Sequence, residues 1–179
     1  MAQLRRVYCD TTVFVDVVKF DLGKKLDSDR ESDVWMAKRL MEAHRDKEVR
    51  VLTSVLTIAE CSHGGDGDIS ERAQFLIDKL LTSGDYVHLI QTTPFLAAAG
   101  RNLRWQNGIN LKGADAVHAA SALSENCDEL LTTNGRFDRL HVHREAFEQL
   151  GLRIVKPRDS GCLPDKYRQL GLGEDLGRA

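Results

Sequence analysis

Arg6-Val7-Tyr8-Cys9-Asp10-Thr11-Thr12-Val13-Phe14-Val15 sets the reading of this chain. An apolar run, Val7 to Cys9, ends at a carboxylate. Two hydroxyls follow, and a second apolar stretch opens at Val13. The pattern predicts a first strand over 6–9 and a helix over 12–19, with Asp10 at the strand's exit. Ligands of open α/β sheets sit at the carboxyl ends of the strands. An acid at that place therefore marks a candidate site as well as a favoured helix cap.

Outward from this stretch, apolar runs keep alternating with helical periodicity, which favours βαβ units and a parallel sheet. Further strands are expected at 49–53, 86–90, 130–133 and 153–155. A charged stretch, 21–33, reads as a solvated loop, and Trp35, Met36, Leu40 and Met41 recur at helical spacing in a helix over 31–44. Ser54 is placed to cap a helix over 55–61. Residues 64–68 are a loop by composition, and a helix opens at Ser70 with Phe75, Leu76, Leu80 and Leu81 as its apolar face. Thr93-Pro94 is a strong helix start, a capping hydroxyl before proline, and Asn107-Gly108 is its stop. An alanine-rich helix follows over 116–125, and a short one over 143–150. The domain is expected over 1–157 with the charged insert inside it. Residues 158–179, with four glycines and few large apolar side chains, read as a loosely packed tail.

The chain has 179 residues, long enough for one domain with a full core. At 42% hydrophobic and 29% charged it has a soluble protein's composition. No apolar run approaches the roughly 20 residues of a spanning helix, so no membrane role is expected. Cys9, Cys61, Cys127 and Cys162 form no Cys-x-x-Cys pair, which argues against a zinc site and a disulfide scaffold. A cytoplasmic home is the default expectation. The net charge of −2 excludes a protein that grips nucleic acid by bulk charge, but not one with a local patch or bound cations.

Four acids are candidates: Asp10 after strand one, Glu60 on a helix face shared with Leu56, Ile58 and Ala59, Asp115 in the first turn of the alanine-rich helix, and Asp138 after strand four. Each has an ordinary explanation alone: a cap, a half-exposed helix residue, a partner of the helix dipole, a turn residue. Together they matter more. Carboxylates gathered at one sheet edge repel one another unless a counter-charge is present, and oxygen-only ligands suit Mg²⁺ or Mn²⁺.

Several segments resemble PIN-domain nucleases. Tyr8-Cys9-Asp10-Thr11-Thr12-Val13-Phe14 is similar to the opening motif of that family. Thr53-Ser54-Val55-Leu56-Thr57-Ile58-Ala59-Glu60 resembles the segment of the second acid, and Gly113-Ala114-Asp115-Ala116-Val117-His118-Ala119-Ala120-Ser121-Ala122, the most specific match, the helix start of the third. Leu130-Leu131-Thr132-Thr133-Asn134-Gly135-Arg136-Phe137 resembles the fourth motif, and Leu152-Arg153-Ile154-Val155-Lys156-Pro157 the closing strand. The resemblance implies a three-layer α/β/α fold with a mainly parallel five-stranded sheet and Mg²⁺- or Mn²⁺-dependent cleavage of RNA. It carries Asp10, Glu60 and Asp115 over as metal ligands and Thr12 as a supporting hydroxyl. Many small members are VapC-type toxins, so an antitoxin partner and a homodimer are implied as well.

Two departures stand out. The fourth acidic position falls on Asn134, a neutral ligand that can orient water but attracts a cation less; Asp138 is the alternative completion. The chain is also longer than the small toxins. His63 and His118 lie three residues beyond a site carboxylate, and a supporting role is expected for them ahead of a general-base role. Arg101, Arg104, Lys112, Arg136 and Arg139 are candidates for phosphate contacts against the ordinary reading of a solvated surface. Trp35 and Trp105 are expected in core or dimer packing rather than base stacking. The expected function is a metal-dependent endoribonuclease acting through Asp10, Glu60, Asp115 and Asn134, the toxin of a toxin–antitoxin pair. One alternative is a PIN-fold module that binds RNA or a protein without cutting. Another is a haloacid-dehalogenase-type phosphatase, which needs a second Asp where Thr12 stands.

Overall fold

The computed structural model describes residues 4–62, 69–111, 113–134 and 143–169. Five strands, β1 (Arg5–Cys9), β2 (Val49–Ser54), β3 (His88–Ile90), β4 (Glu129–Leu131) and β5 (Arg153–Val155), form one sheet. Among the described residues run eight α-helices: α1 (Thr11–Asp21), α2 (Ser28–Arg45), α3 (Leu56–Glu60), α4 (Glu71–Thr82), α5 (Pro94–Asn107), α6 (Gly113–Ser124), α7 (Arg144–Gln149) and α8 (Asp165–Arg168). The strand order is β3-β2-β1-β4-β5, and every pairing is parallel.

Side chains alternate across the sheet, as the pleat requires. Val7 and Cys9 join Phe14, Val17, Leu40 and Met41 in a core under α1, α2 and α4. Tyr8 points to the opposite core, with Leu52, Leu130, Leu103, Ala119 and Phe147, under α5, α6 and α7. Two cores on two faces of one sheet make the expected three-layer α/β/α architecture. All four cysteines are buried and unpaired.

The expected helix starts at Ser70 and Thr93 form, these side chains accepting the amides of Ala73 and Leu96. Asp27, not expected as a cap, accepts that of Arg30, and Gly108 ends α5 in the left-handed region at φ 69°. Ser54 closes β2 yet still accepts the amide of Leu56 at 3.1 Å. Gly100 lets α5 lie against α6: a Cβ there would stand 2.9 Å from the carbonyl oxygen of Ala116.

Three expectations change. The charged stretch is not all loop, because α2 starts at Ser28 on the Asp27 cap. Phe75 is exposed, while Leu81 is buried and Leu76 and Leu80 are half-buried as expected, with Ala73 buried beside them. The segment after Pro157 packs tightly as far as it is described. Cys162, Leu163 and Tyr167 enter the α1–α2 core, and Tyr167 Oη donates to Asp46 at 2.8 Å. Arg158 pairs with Asp29 at 3.0 Å and donates its amide to Asp33, so insert and tail hold each other.

Candidate metal centre

The strand order reverses between β1 and β4, and a crevice opens at such a switch point beyond the carboxyl ends of the strands. Asp10 stands in it. Its amide continues the ladder to Leu131 O at 2.9 Å, while its backbone turns into α1. The side chain caps α1, accepting the Thr11 amide at 2.7 Å. The other carboxylate oxygen accepts the hydroxyls of Thr12 at 3.0 Å and of Thr132 at 2.8 Å. The cap reading and the site reading thus hold together, and Asp10 is 3% exposed.

Glu60 reaches the crevice from α3, whose buried face carries Thr57, while Ile58 and Ala59 are exposed. The expected apolar face is therefore a hydroxyl face. Thr57 is tied to Thr53, which donates to Cys9 O at 2.8 Å. Glu60 Oε2 accepts from Thr11 Oγ1 and, at 2.8 Å, from His118 Nε2. The bond from His118 is the main reason the Glu60 carboxyl is held below its ordinary value; burial opposes this and the Thr11 bond assists it.

His118 is buried on α6, and its Nε2 is 3.9 Å from Asp10 Oδ1. Asp10, Glu60 and His118 each offer a ligand atom within 4.8 Å of the others. Among the described residues this is the cluster that forms. Asp115 sits one turn earlier on α6, half-buried and outside that cluster. Asn134 follows β4, with its amide donating to Thr132 Oγ1 at 3.1 Å. His63, Lys112, Arg136, Asp138 and Arg139 lie outside the described residues.

Sequence reasoning passed over three members of this arrangement. Thr11 and Thr132 bond the two acids directly. Asp16, buried on the second turn of α1, accepts Thr133 Oγ1 at 2.7 Å, so consecutive threonines tie the exit of β4 to α1. The adjacent threonines were the available signal. Trp105 is also not in the core: it is 71% exposed, with the Arg101 guanidinium 4.4 Å above its ring. Trp35 packs against the α1–α2 core, under Arg39.

The donor set fits a hard divalent cation. Two carboxylates from separate elements converge, hydroxyls and an amide fix their orientation, and among the described residues neither acid has a Lys or Arg partner.

The PIN domain model matches residues 7–142. No curated protein matched the chain. Among solved structures, a chain of VapBC2 from Rickettsia felis bound to a DNA fragment from their promoter is similar at TM-score 0.55 and 19% identity, covering 84% of this chain and 98% of that one. A chain of FitAcB from Neisseria gonorrhoeae is similar at TM-score 0.51 and 17% identity, covering 86% and 99%. At these identities the likeness is one of fold.

Proposed function

The chain belongs to the PIN domain family, and from that premise we propose that it is a divalent-metal-dependent endoribonuclease, the toxin of a toxin–antitoxin pair. The convergence of Asp10 and Glu60, with no Lys or Arg partner among the described residues, carries this reading. In it Asp10 and Glu60 hold Mg²⁺ or Mn²⁺, Asp115 joins them from α6, and Asn134 contributes a neutral oxygen. When bound, the cation lowers the pKa of a water and offsets charge on the phosphodiester.

The chain's own residues do the rest. Thr12, Thr132 and the Thr11 amide fix the Asp10 carboxylate. Thr11 and His118 keep Glu60 ionised. In this reading Arg101 and Arg104, exposed on α5, contact RNA phosphates. The complexes to which the two similar chains belong support an antitoxin partner. A homodimer and a cytoplasmic location complete the proposal. No helix among the described residues is long and apolar enough to cross a membrane. We assign the nuclease domain to residues 1–157, with 158–179 as an appended segment.

The test is cleavage of a mixed RNA pool with Mg²⁺ or Mn²⁺, by the parent protein and by Asp10→Asn. Asparagine still caps α1 but removes the charge. The variant should fold and lose cleavage by about 100-fold or more, since even residues behind metal ligands cost about 10–100-fold. A parent protein silent with both metals favours the non-cutting RNA- or protein-binding module instead.

A further inference from the structure

His118 is fully buried and faces Asp10 and Glu60, and the reading above gives it only the task of keeping Glu60 ionised. Its hydrogen bonds settle which ring nitrogen carries the proton. Tyr8 Oη accepts the Ser54 amide at 2.9 Å. A tyrosine phenol, with an ordinary pKa of about 10, keeps its one proton at neutral pH. The hydrogen-bond acceptor for Tyr8 is His118 Nδ1, 2.7 Å away, while the Thr53 and Ser121 hydroxyls also lie beside the phenol. With Tyr8 donating, Nδ1 is the acceptor, and Nε2 carries the hydrogen because the Glu60 carboxylate beside it can only accept. Nε2–H then donates to Glu60 Oε2 at 2.8 Å; Thr11 Oγ1, at 3.4 Å, is a weaker contact.

The consequence reaches Glu60. Oε2 takes two donors, Thr11 and His118, which leaves Oε1 as the oxygen without a hydrogen bond among the described residues. A nitrogen that bears hydrogen has no lone pair for a metal, so membership of the 4.8 Å cluster does not make His118 a ligand. The chain Ser54 N–H, Tyr8 O–H, His118 Nε2–H, Glu60 runs from the end of β2 through β1 and α6 to α3. Each group donates to the next, and the chain ends on a carboxylate, which can only accept.

We propose that Tyr8 and His118 form a positioning relay, anchored on the Ser54 amide, in which His118 is a hydrogen-bond donor that fixes Glu60 for the cation rather than a ligand of it. The proposal rests on the metal reading of Glu60, but its first test does not. Long-range ¹H–¹⁵N spectra of the metal-free protein should show His118 with hydrogen on Nε2 and none on Nδ1. A neutral ring with hydrogen on Nδ1 overturns the relay. In Tyr8→Phe, which removes one atom from a filled site, the preference should weaken and both tautomers should appear.

The second test uses Mn²⁺ alone as probe. Electron spin-echo spectra of the Mn²⁺-loaded parent should lack the coupling of a directly bound imidazole nitrogen; its presence overturns the proposal. Mn²⁺ affinity should fall about 10-fold in Tyr8→Phe and in His118→Leu, as for other supports of metal ligands. His118→Gln, whose amide can still donate to Glu60, should recover most of the affinity. Equal loss in His118→Gln and His118→Leu argues for ligation and against the relay. If the parent takes up no Mn²⁺, the metal reading fails, and the relay is decided by the tautomer alone.

Discussion

Replacing Gly100 by alanine tests how closely α5 governs α6. The new methyl would stand 2.9 Å from the Ala116 carbonyl oxygen and 3.4 Å from the Ala116 Cβ, where ordinary contact begins at 3.4 Å. The obstacle is backbone, so no rotamer change relieves it; the helices must part by about 0.5 Å, which weakens dispersion along their contact. Overpacking of this kind costs about 1–3 kcal/mol. Alanine returns about 0.5–1 kcal/mol by stiffening the unfolded chain and favouring the helix. The net expectation is a loss of about 0.5–2 kcal/mol, or roughly 1–8 °C in Tm for a chain of this size. Urea and thermal unfolding measure it directly. A double-mutant cycle with Ala116→Gly isolates the cause: because the carbonyl oxygen is the closer contact, removing the Ala116 methyl should give no rescue, and the two changes should add within about 0.5 kcal/mol. A stable Gly100→Ala protein, or a coupling well above that, would refute the close-approach argument.

Three further outcomes follow from buried and half-buried polar groups. Glu129→Ala strips the acceptor from Ser160 Oγ, the Gly161 amide and Arg153; it should cost about 2–3 kcal/mol and open residues after 157 to limited proteolysis, while Glu129→Gln costs less. Burial holds the His44 pKa below 6.5, and its Nδ1 accepts the Val51 amide. The unfolded chain therefore takes up this proton first, so stability should fall as pH drops below 6.5, and His44→Gln should flatten that slope in denaturant titrations. Glu60 has the opposite sign. Its carboxyl is lowered from 4.5, so its contribution is present above that pH and disappears as pH falls through the lower folded value; the stability gap between parent and Glu60→Gln should close over that range.

The sequence made the sheet legible because each strand is a short apolar run bounded by turn or cap residues, and Thr93-Pro94 or Asn107-Gly108 declare themselves locally. It left the first turn of α2 hidden. Residues 28–33 are exposed or charged, so hydrophobic periodicity is silent there, although Asp27 as a cap was readable. The packing of Cys162, Leu163 and Tyr167 was hidden for a related reason: three wide-set apolar residues make no pattern until the surface they meet exists. At the site, Asp10 and Glu60 could be matched by motif. The part played by His118 could not, because its partner Tyr8 is 110 positions away and becomes a neighbour only when β1 turns its even face toward α6.

The segment that closes over α2 has a consequence for how the molecule comes into being. Ribosomes deliver the amino-terminal part first, so the seat of Tyr167 beside Asp46, and the acids that receive Arg158, are made long before the residues that cover them. Until residues 157–169 emerge, the hydrophobic layer beneath α1 and α2 lacks part of its lid. A ribosome stalled just short of that segment would display sheet and crevice on a particle with an adhesive flank, a natural client for a chaperone.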